Sequence, residues 1–398
     1  MNRKLGYLKH LCRLTFLLSM FMGIALDYDH PVQAKPFNTP LVILLKGDLW
    51  TWTVDGSTLT QLTHQGYNYR PVLSPDGTRI AYKSLADITV ASLPVQYDVY
   101  SSGPSNIWVW DLTSGQAKLV AAQPGRVSRD PATGGWKDGL LRSNPTWSPD
   151  GTKVAWVEAT LPEMAYRLMV YDFANDTTTG IVPYLPGPYY LPGSFSDAAN
   201  IAMVDPLWGP AGLALHIVHR GQTGLISDVL LFDAQGTQVV SYQQKTPAYA
   251  LLWIVDAGKN YLGLQQADGQ WVLIDPETSQ AVTISSVSLE LYNLGVEATY
   301  SVVYRFRDIN KGDWKVADQS GVEMPLDITY PIWGTTNLAL DPTGQMVAYS
   351  ANGFYIWQNG TVTQIPGTDS LTSNSAWPDD GSLAWGLVGW RLRPLGAG

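Results

Sequence analysis

The sequence predicts an all-β fold made from one unit repeated along the chain, and three observations predict it. A hairpin built on Ser-Pro-Asp-Gly recurs. The strand after it opens each time on an apolar residue, an alanine and an aromatic ring. The stretches between hairpins read as two further strands divided by a polar turn.

The hairpin is a local consequence of residue type. In "SNPTWSPDGTKVAWVE" (Ser143 to Glu158), Ser148 suits the first position of a type I turn, Pro149 the second and Gly151 the fourth. Lys153 to Val157 then carries β-branched and aromatic residues on both parities, as a strand buried on both faces requires. Copies follow in "RPVLSPDGTRIAYKS" (Arg70 to Ser84), "NLALDPTGQMVAYSA" (Asn337 to Ala351) and "NSAWPDDGSLAWGL" (Asn374 to Leu387). The triplets Ile80-Ala81-Tyr82, Val154-Ala155-Trp156, Val347-Ala348-Tyr349 and Leu383-Ala384-Trp385 place a small residue beside a large ring, which lets neighbouring sheets interlock. Weaker copies lie at Pro206 to Val218, Leu251 to Leu264 and Leu291 to Tyr304, making seven hairpins. Between them, stretches such as "NIWVWDLTSGQAKLV" and "DVLLFDAQGTQVV" supply the other two strands of each unit. Four antiparallel strands repeated in this way predict a seven-bladed β-propeller of four-stranded antiparallel blades.

The Trp-Ser-Pro-Asp-Gly hairpin followed by a short aromatic strand resembles the WD-like repeat of the TolB β-propeller family, most closely over Asp48 to Ser84. The resemblance spans almost all of the chain after its N-terminal segment, strong in four units and faint in three. It implies the fold and leaves activity open, because that family's repeat serves periplasmic assembly factors, propellers fused to peptidase domains, and lyases. Strands are expected from Leu41 onward, without the α/β domain that precedes the propeller in TolB itself. The chain opens on "LVILLKGDLWTWTVDGSTLTQL", three strands of a unit lacking its first, and "SNSAWPDDGSLAWGL" near its end supplies that strand. The propeller is therefore expected to be closed by N-terminal strands pairing with the C-terminal hairpin, which hides the edges of an open array.

Residues 1–34 read as a cleaved signal peptide and 35–398 as a single propeller domain. "MNRKLGYLKHLCR" is basic, Leu14 to Leu26 is apolar, and "PVQA" ends in a small-x-small pattern suited to cleavage after Ala34. The apolar run is shorter than the ~20 residues of a membrane span, so no stable membrane insertion is expected after cleavage. A periplasmic or secreted protein follows. Removing the segment takes the formal charge from -9 to -11 and leaves no cysteine, so stability owes nothing to disulfides in a compartment that permits them. Sixteen tryptophans, 21 tyrosines and an acidic balance describe a large β-rich core and argue against nucleic acid as a partner.

No catalytic set stands out, and no cofactor or metal is expected. His216 and His219 are three positions apart in one strand and point to opposite faces. There is no Gly-x-Ser-x-Gly elbow. The resemblance to the propeller lyases implies a cluster of metal-bound histidines, and three scattered histidines after residue 34 do not supply one. "DINKGD" (Asp308 to Asp313) echoes a calcium loop, but Gly312 stands where a ligand is needed, so it reads as a hairpin turn. Asp76, Asp150, Asp341 and Asp380 read as turn formers, one per unit.

Function is expected where the units differ. Three long insertions, Leu85 to Ser105, Ala122 to Ser143 and Pro183 to Asp205, occupy loop types that emerge on the same face, away from the Ser-Pro-Asp-Gly turns. They are rich in aromatic residues, and Arg126, Arg129, Lys137 and Arg142 gather positive charge in one of them. The expected function is a non-enzymatic scaffold that binds an envelope or extracellular protein or peptide. Tyr97, Tyr100, Trp136, Tyr189 and Tyr190 are its candidate anchors and Arg129 a polar clamp. The alternative is a carbohydrate-binding or carbohydrate-active propeller, with polysaccharide stacked on the same rings and Asp130 or Asp197 in acid/base roles. The bland alternative to both is that the insertions fold down and pack.

Overall fold

A computed structural model of the protein describes residues 39–398 apart from 55–57, 93–102, 133–134, 162, 164, 186–203, 221–223, 246–247, 267, 286, 294–298, 309–310, 327–337, 352, 369–380, 387 and 395–398. Strand follows strand through it, because tight turns join antiparallel neighbours. First come β1 (Leu41–Leu45), β2 (Asp48–Trp52) and β3 (Leu59–Gln61). A four-stranded sheet follows: β4 (Asn68–Leu73), β5 (Arg79–Leu85), β6 (Ser105–Asp111) and β7 (Gln116–Ala121), with a single helical turn α1 (Asp87–Val90) between β5 and β6. The second insertion contributes β8 (Ser128–Arg129) and β9 (Trp136–Arg142), ahead of β10 (Thr146–Trp147), β11 (Lys153–Leu161), β12 (Ala165–Asp172) and β13 (Thr177–Leu185).

The remaining units are β14 (Leu207–Gly209), β15 (Gly212–Arg220), β16 (Leu225–Phe232) and β17 (Gln238–Gln244); then β18 (Ala248–Asp256), β19 (Lys259–Gln266), β20 (Trp271–Ile274) and β21 (Ala281–Ile284). After these come β22 (Val287–Asn293), β23 (Tyr300–Asp308), β24 (Lys311–Asp318) and β25 (Glu323–Pro325), and last β26 (Leu338–Leu340), β27 (Met346–Ala351), β28 (Gly353–Gln358) and β29 (Thr361–Gln364). The chain closes with β30 (Leu383–Ala384) and β31 (Val388–Pro394).

Seven four-stranded meanders can be traced among the described residues: β30 with β1 to β3, then β4 to β7, β10 to β13, β14 to β17, β18 to β21, β22 to β25, and β26 to β29. They form six hydrogen-bonded sheets rather than seven. The difference lies in β31, which the sequence analysis did not foresee. It pairs antiparallel with β22 from Val287↔Pro394 to Asn293↔Val388, and parallel with β18 at Ile254↔Trp390 and Val255↔Arg391, so two meanders share one nine-stranded sheet. Alternation explains its place. Trp390 and Leu392 turn to the apolar core, whereas Arg391 chelates Glu290 through two bonds of 2.7 and 2.8 Å.

The faint hairpin at Leu291 to Tyr304 is β22 with β23, in register at Leu291↔Val302. Of "DINKGD", Asp308 at the end of β23 stands opposite Lys311 at the start of β24. At the other end β1 takes β30 as its neighbour through Val42↔Ala384 and Ile43↔Leu383.

Both faces of the middle strands are buried, so successive residues serve different cores. Val154 and Trp156 pack towards the preceding meander, and Ala155 and Val157 towards the following one. The cores lie between neighbouring meanders, one of them spanning three, and another joins Phe354 and Ile356 to Leu41 and Ile43 of the first. Indoles tie the inner strands together: Trp147 donates to the Val72 carbonyl at 2.9 Å and Trp253 to that of Leu207 at 3.2 Å.

The repeated turns are self-contained. Gly77 and Gly151 each donate to the serine carbonyl three residues earlier at 2.8 Å, while Asp76 and Asp150 accept from Ser74 and Thr78, and from Ser148 and Thr152. Asp341 does the same for Thr343 and Met346. Asp380 lies outside the described residues.

Candidate functional site

β5 leaves its turn at Arg79 and reaches the first insertion at Leu85, and β11 meets β9 only over Glu158 to Leu161, the end far from Ser148. The described parts of the first two insertions therefore gather at one end of the strands, about 20 Å from the turns at 3.3 Å per residue. They touch there. Gly139 lies at φ 121°, and a Cβ on it would come 3.0 Å from Pro104, so the backbone of β9 presses directly on the end of the first insertion. Gln123 bonds Ser105 and Leu140 through its side-chain amide.

Of the six expected binding residues, Tyr97, Tyr100, Tyr189 and Tyr190 lie outside the described residues. Arg129 and Trp136 are brought together, opposite each other in the β8 to β9 pairing, with the guanidinium 5.3 Å from the indole centroid. Trp136 also packs against the core and crowds Gly103, so part of the ring is engaged in packing. Asp130 holds its own turn by accepting from Ala132 at 2.9 Å, and Asp197 lies outside the described residues.

Arg142 is a correction. It is one of the four residues that gather positive charge in the second insertion, yet it is buried, bonded to Glu158 at 2.9 Å and to the carbonyls of Ser105 and Ala122 at 2.6 and 2.9 Å. It clamps the bases of two insertions rather than facing a partner. Glu158 accepts Arg167 as well, at 2.8 Å. Arg126 pairs with Asp138 at 3.2 Å.

A second feature was missed, although its signal is in the repeat. Leu73, Trp147 and Trp208 are equivalent, facing Ile80, Val154 and Leu213 across the first hairpin of their meanders. Three residues before each stands an X-Pro pair: Arg70-Pro71, Asn144-Pro145 and Asp205-Pro206. Proline offers no N–H to the ladder, so the inner strand is interrupted at the same level in three consecutive units. β4 has a register shift between Tyr69 and Val72, β9 gives way to β10, and β14 starts only after Pro206.

Two of these residues meet across units. Asn144 donates its backbone N–H and its Nδ2 to the two oxygens of Asp205, at 2.8 and 2.6 Å. Lys83, buried in β5, reaches the Arg142 carbonyl at 3.2 Å. Burial pushes the Asp205 carboxyl above the ordinary aspartate range, opposed by Arg70, Lys83 and the Asn144 bonds. Arg70 sits at φ 44°, a left-handed conformation uncommon for arginine.

The histidines stay apart. His219 bonds Asp228 at 2.5 Å, whereas burial holds His216 down at about 4 and its Nε2 has no hydrogen-bond partner among the described residues. Among the described residues, no three His, Cys, Asp or Glu side chains are grouped to hold a metal.

No family model matches the chain, and no curated protein matches it. It is similar to several solved structures. The β-propeller domain of the Trilobed protease from Pyrococcus furiosus is 12% identical, with 82% of this chain and 89% of that one covered at a TM-score of 0.46. An oligogalacturonate lyase in complex with manganese is 14% identical, with coverage of 78% and 82% at a TM-score of 0.46. TolB from Acinetobacter baumannii is 12% identical, with coverage of 91% and 69% at a TM-score of 0.37.

Proposed function

We propose that the protein is an exported, non-enzymatic β-propeller of seven blades that binds a protein or peptide at the end of its strands where the insertions gather. Closure of the ring is supported by the core that joins the seventh meander to the first, and by the pairing of β1 with β30. The observation that carries the binding reading is the joining of the first two insertions. Arg142 ties Ser105 and Ala122 together, and Trp136 with Arg129 lies over Gly103. Such a rigid base presents aromatic loops at low entropic cost.

The test is quantitative capture of envelope proteins by the native protein and by a Tyr189→Ala/Tyr190→Ala variant. Loss of a specific partner by about 2 kcal/mol or more, the scale of aromatic anchors, supports the reading, and equal capture of every protein rejects it. Export is tested by sequencing the N-terminus of the cell-derived protein. Lys35 as the first residue is expected in a fraction released without detergent, and an intact Met1 held in membranes contradicts it.

A further inference from the structure

We infer that β31 is a detachable strand seated in a peptide-binding groove of the fifth and sixth meanders, and that the groove takes an extended segment carrying an arginine or lysine between two large apolar residues. The inference does not depend on what the insertions bind, because the groove is made by the strands β18 and β22.

The resident strand is held lightly. β31 pairs with β22 over all seven of its residues, but with β18 at Trp390 and Arg391 alone. Of its described side chains only that of Trp390 is buried, while Arg391 is half exposed. The seam also holds buried polar atoms that have no hydrogen-bond partner among the described residues: Oγ of Ser288, opposite Arg393, and Oδ1 of Asn293, opposite Val388. Such atoms cost free energy. The chain just before the strand is fixed separately, since Trp385 is buried and donates its indole N–H to the Thr39 carbonyl at 2.9 Å. β31 can therefore leave as a local unit while β30 stays paired with β1.

What β31 leaves behind specifies the ligand. The edge of β22 from Val287 to Asn293 offers backbone groups that an added strand satisfies. Leu291 and Leu289 stand opposite Trp390 and Leu392 and share a core with Ile254, so an apolar side chain is wanted at each of those two positions. Between them lies Glu290, buried and opposite Arg391. With Arg391 gone, its carboxylate keeps only the Ser301 hydroxyl, at 2.6 Å, among the described residues. A buried carboxylate stripped of its cation is strongly disfavoured, so the groove selects a basic residue at that position. As a tethered strand, β31 competes at an effective concentration on the order of millimolar, which keeps the groove shut against weak ligands.

Hydrogen exchange of the intact protein under native conditions tests the release. The opening that exposes the amides of residues 389–393 is expected to be at least tenfold more populated than the one that exposes Val302 and Val303 in β23. A single opening shared by both sets overturns the inference. Binding is read with a labelled peptide of the sequence Val388 to Leu395. The full-length Trp390→Ala protein, whose own strand is loosened, is expected to bind it at least tenfold more tightly than the native protein does, and to bind a peptide with glutamate in place of both arginines at least tenfold more weakly. Arg391→Ala, which spares the core, supplies the same readout should Trp390→Ala not fold. Adding Tyr189→Ala/Tyr190→Ala to the loosened protein is expected to leave peptide binding unchanged, so this reading and that of the insertions fail separately. Equal binding by native and loosened protein, equal binding of the basic and acidic peptides, or a dimer that exchanges β31 between copies and ignores the peptide would each overturn the inference.

Discussion

Trp147 donates its indole N–H to the carbonyl of Val72 in the preceding meander at 2.9 Å, while its ring stacks on Phe173 and lies 5.0 Å from the Arg79 guanidinium. One side chain thereby ties its inner strand to the preceding one through a polar bond and to the end of its own β12 through a stacked ring. Trp147→Phe keeps most of the ring and removes the donor. It is expected to cost about 1 to 3 kcal/mol, read from the urea midpoint with an unchanged slope.

His216 predicts a pH dependence. Its folded value of about 4 lies below the ordinary 6.5 because burial disfavours the imidazolium, so the unfolded chain takes up a proton first as pH falls. The stability linked to it is complete above pH 6.5, falls as pH drops and levels off below about pH 4. The loss is about 3 kcal/mol. His216→Leu is expected to flatten this part of the stability curve, and an unchanged slope in the variant would assign the proton uptake to another group.

The turn aspartates act at lower pH. Burial opposes ionisation of Asp150, but hydrogen bonds from Ser148 and Thr152 outweigh it and hold the carboxyl below the ordinary value. A lowered folded value contributes stability above the unfolded value, and that contribution disappears as pH falls through the folded one. Asp150→Asn is therefore expected to cost about 1 kcal/mol at pH 7 and little at pH 2, with partner binding unaffected. Denaturation at the two pH values checks it.

Trp390 anchors the C-terminal strand in the core shared by three meanders. Trp390→Ala is expected to cost about 3 to 5 kcal/mol, and Glu290→Gln less, because its partner Arg391 is half exposed. Equal losses in chemical unfolding would mean that β31 is held by charge rather than by packing.

The repeat made the hairpins legible, since Ser-Pro-Asp-Gly determines its own turn from local hydrogen bonds and the apolar, alanine, aromatic triplet declares a strand buried on both faces. Even Leu291 to Tyr304, only a faint copy of the hairpin, falls on the paired strands β22 and β23. β31 was not legible. Val388 to Pro394 alternates like any strand, but nothing local says that its partners are Val287 to Asn293 and Ile254 to Val255. Arg142 was misread for a related reason: an arginine in a polar insertion gives no sign that Glu158 lies across the strand. The Arg70, Asn144 and Asp205 set could have been found, because each precedes a proline at a fixed distance from the turn.

The pairings of β31 and β30 bear on how the protein is made. Strands near the start of the chain, Leu41 to Leu45, and others in its middle, Ala248 to Asp256 and Val287 to Asn293, acquire their second neighbours only from residues 383–394. On a ribosome these edges stay open until residues 383–394 have been made, and they are then covered nearly together. A chain that stops before residue 383 leaves strand edges exposed at both places, and open edges of this kind template aggregation.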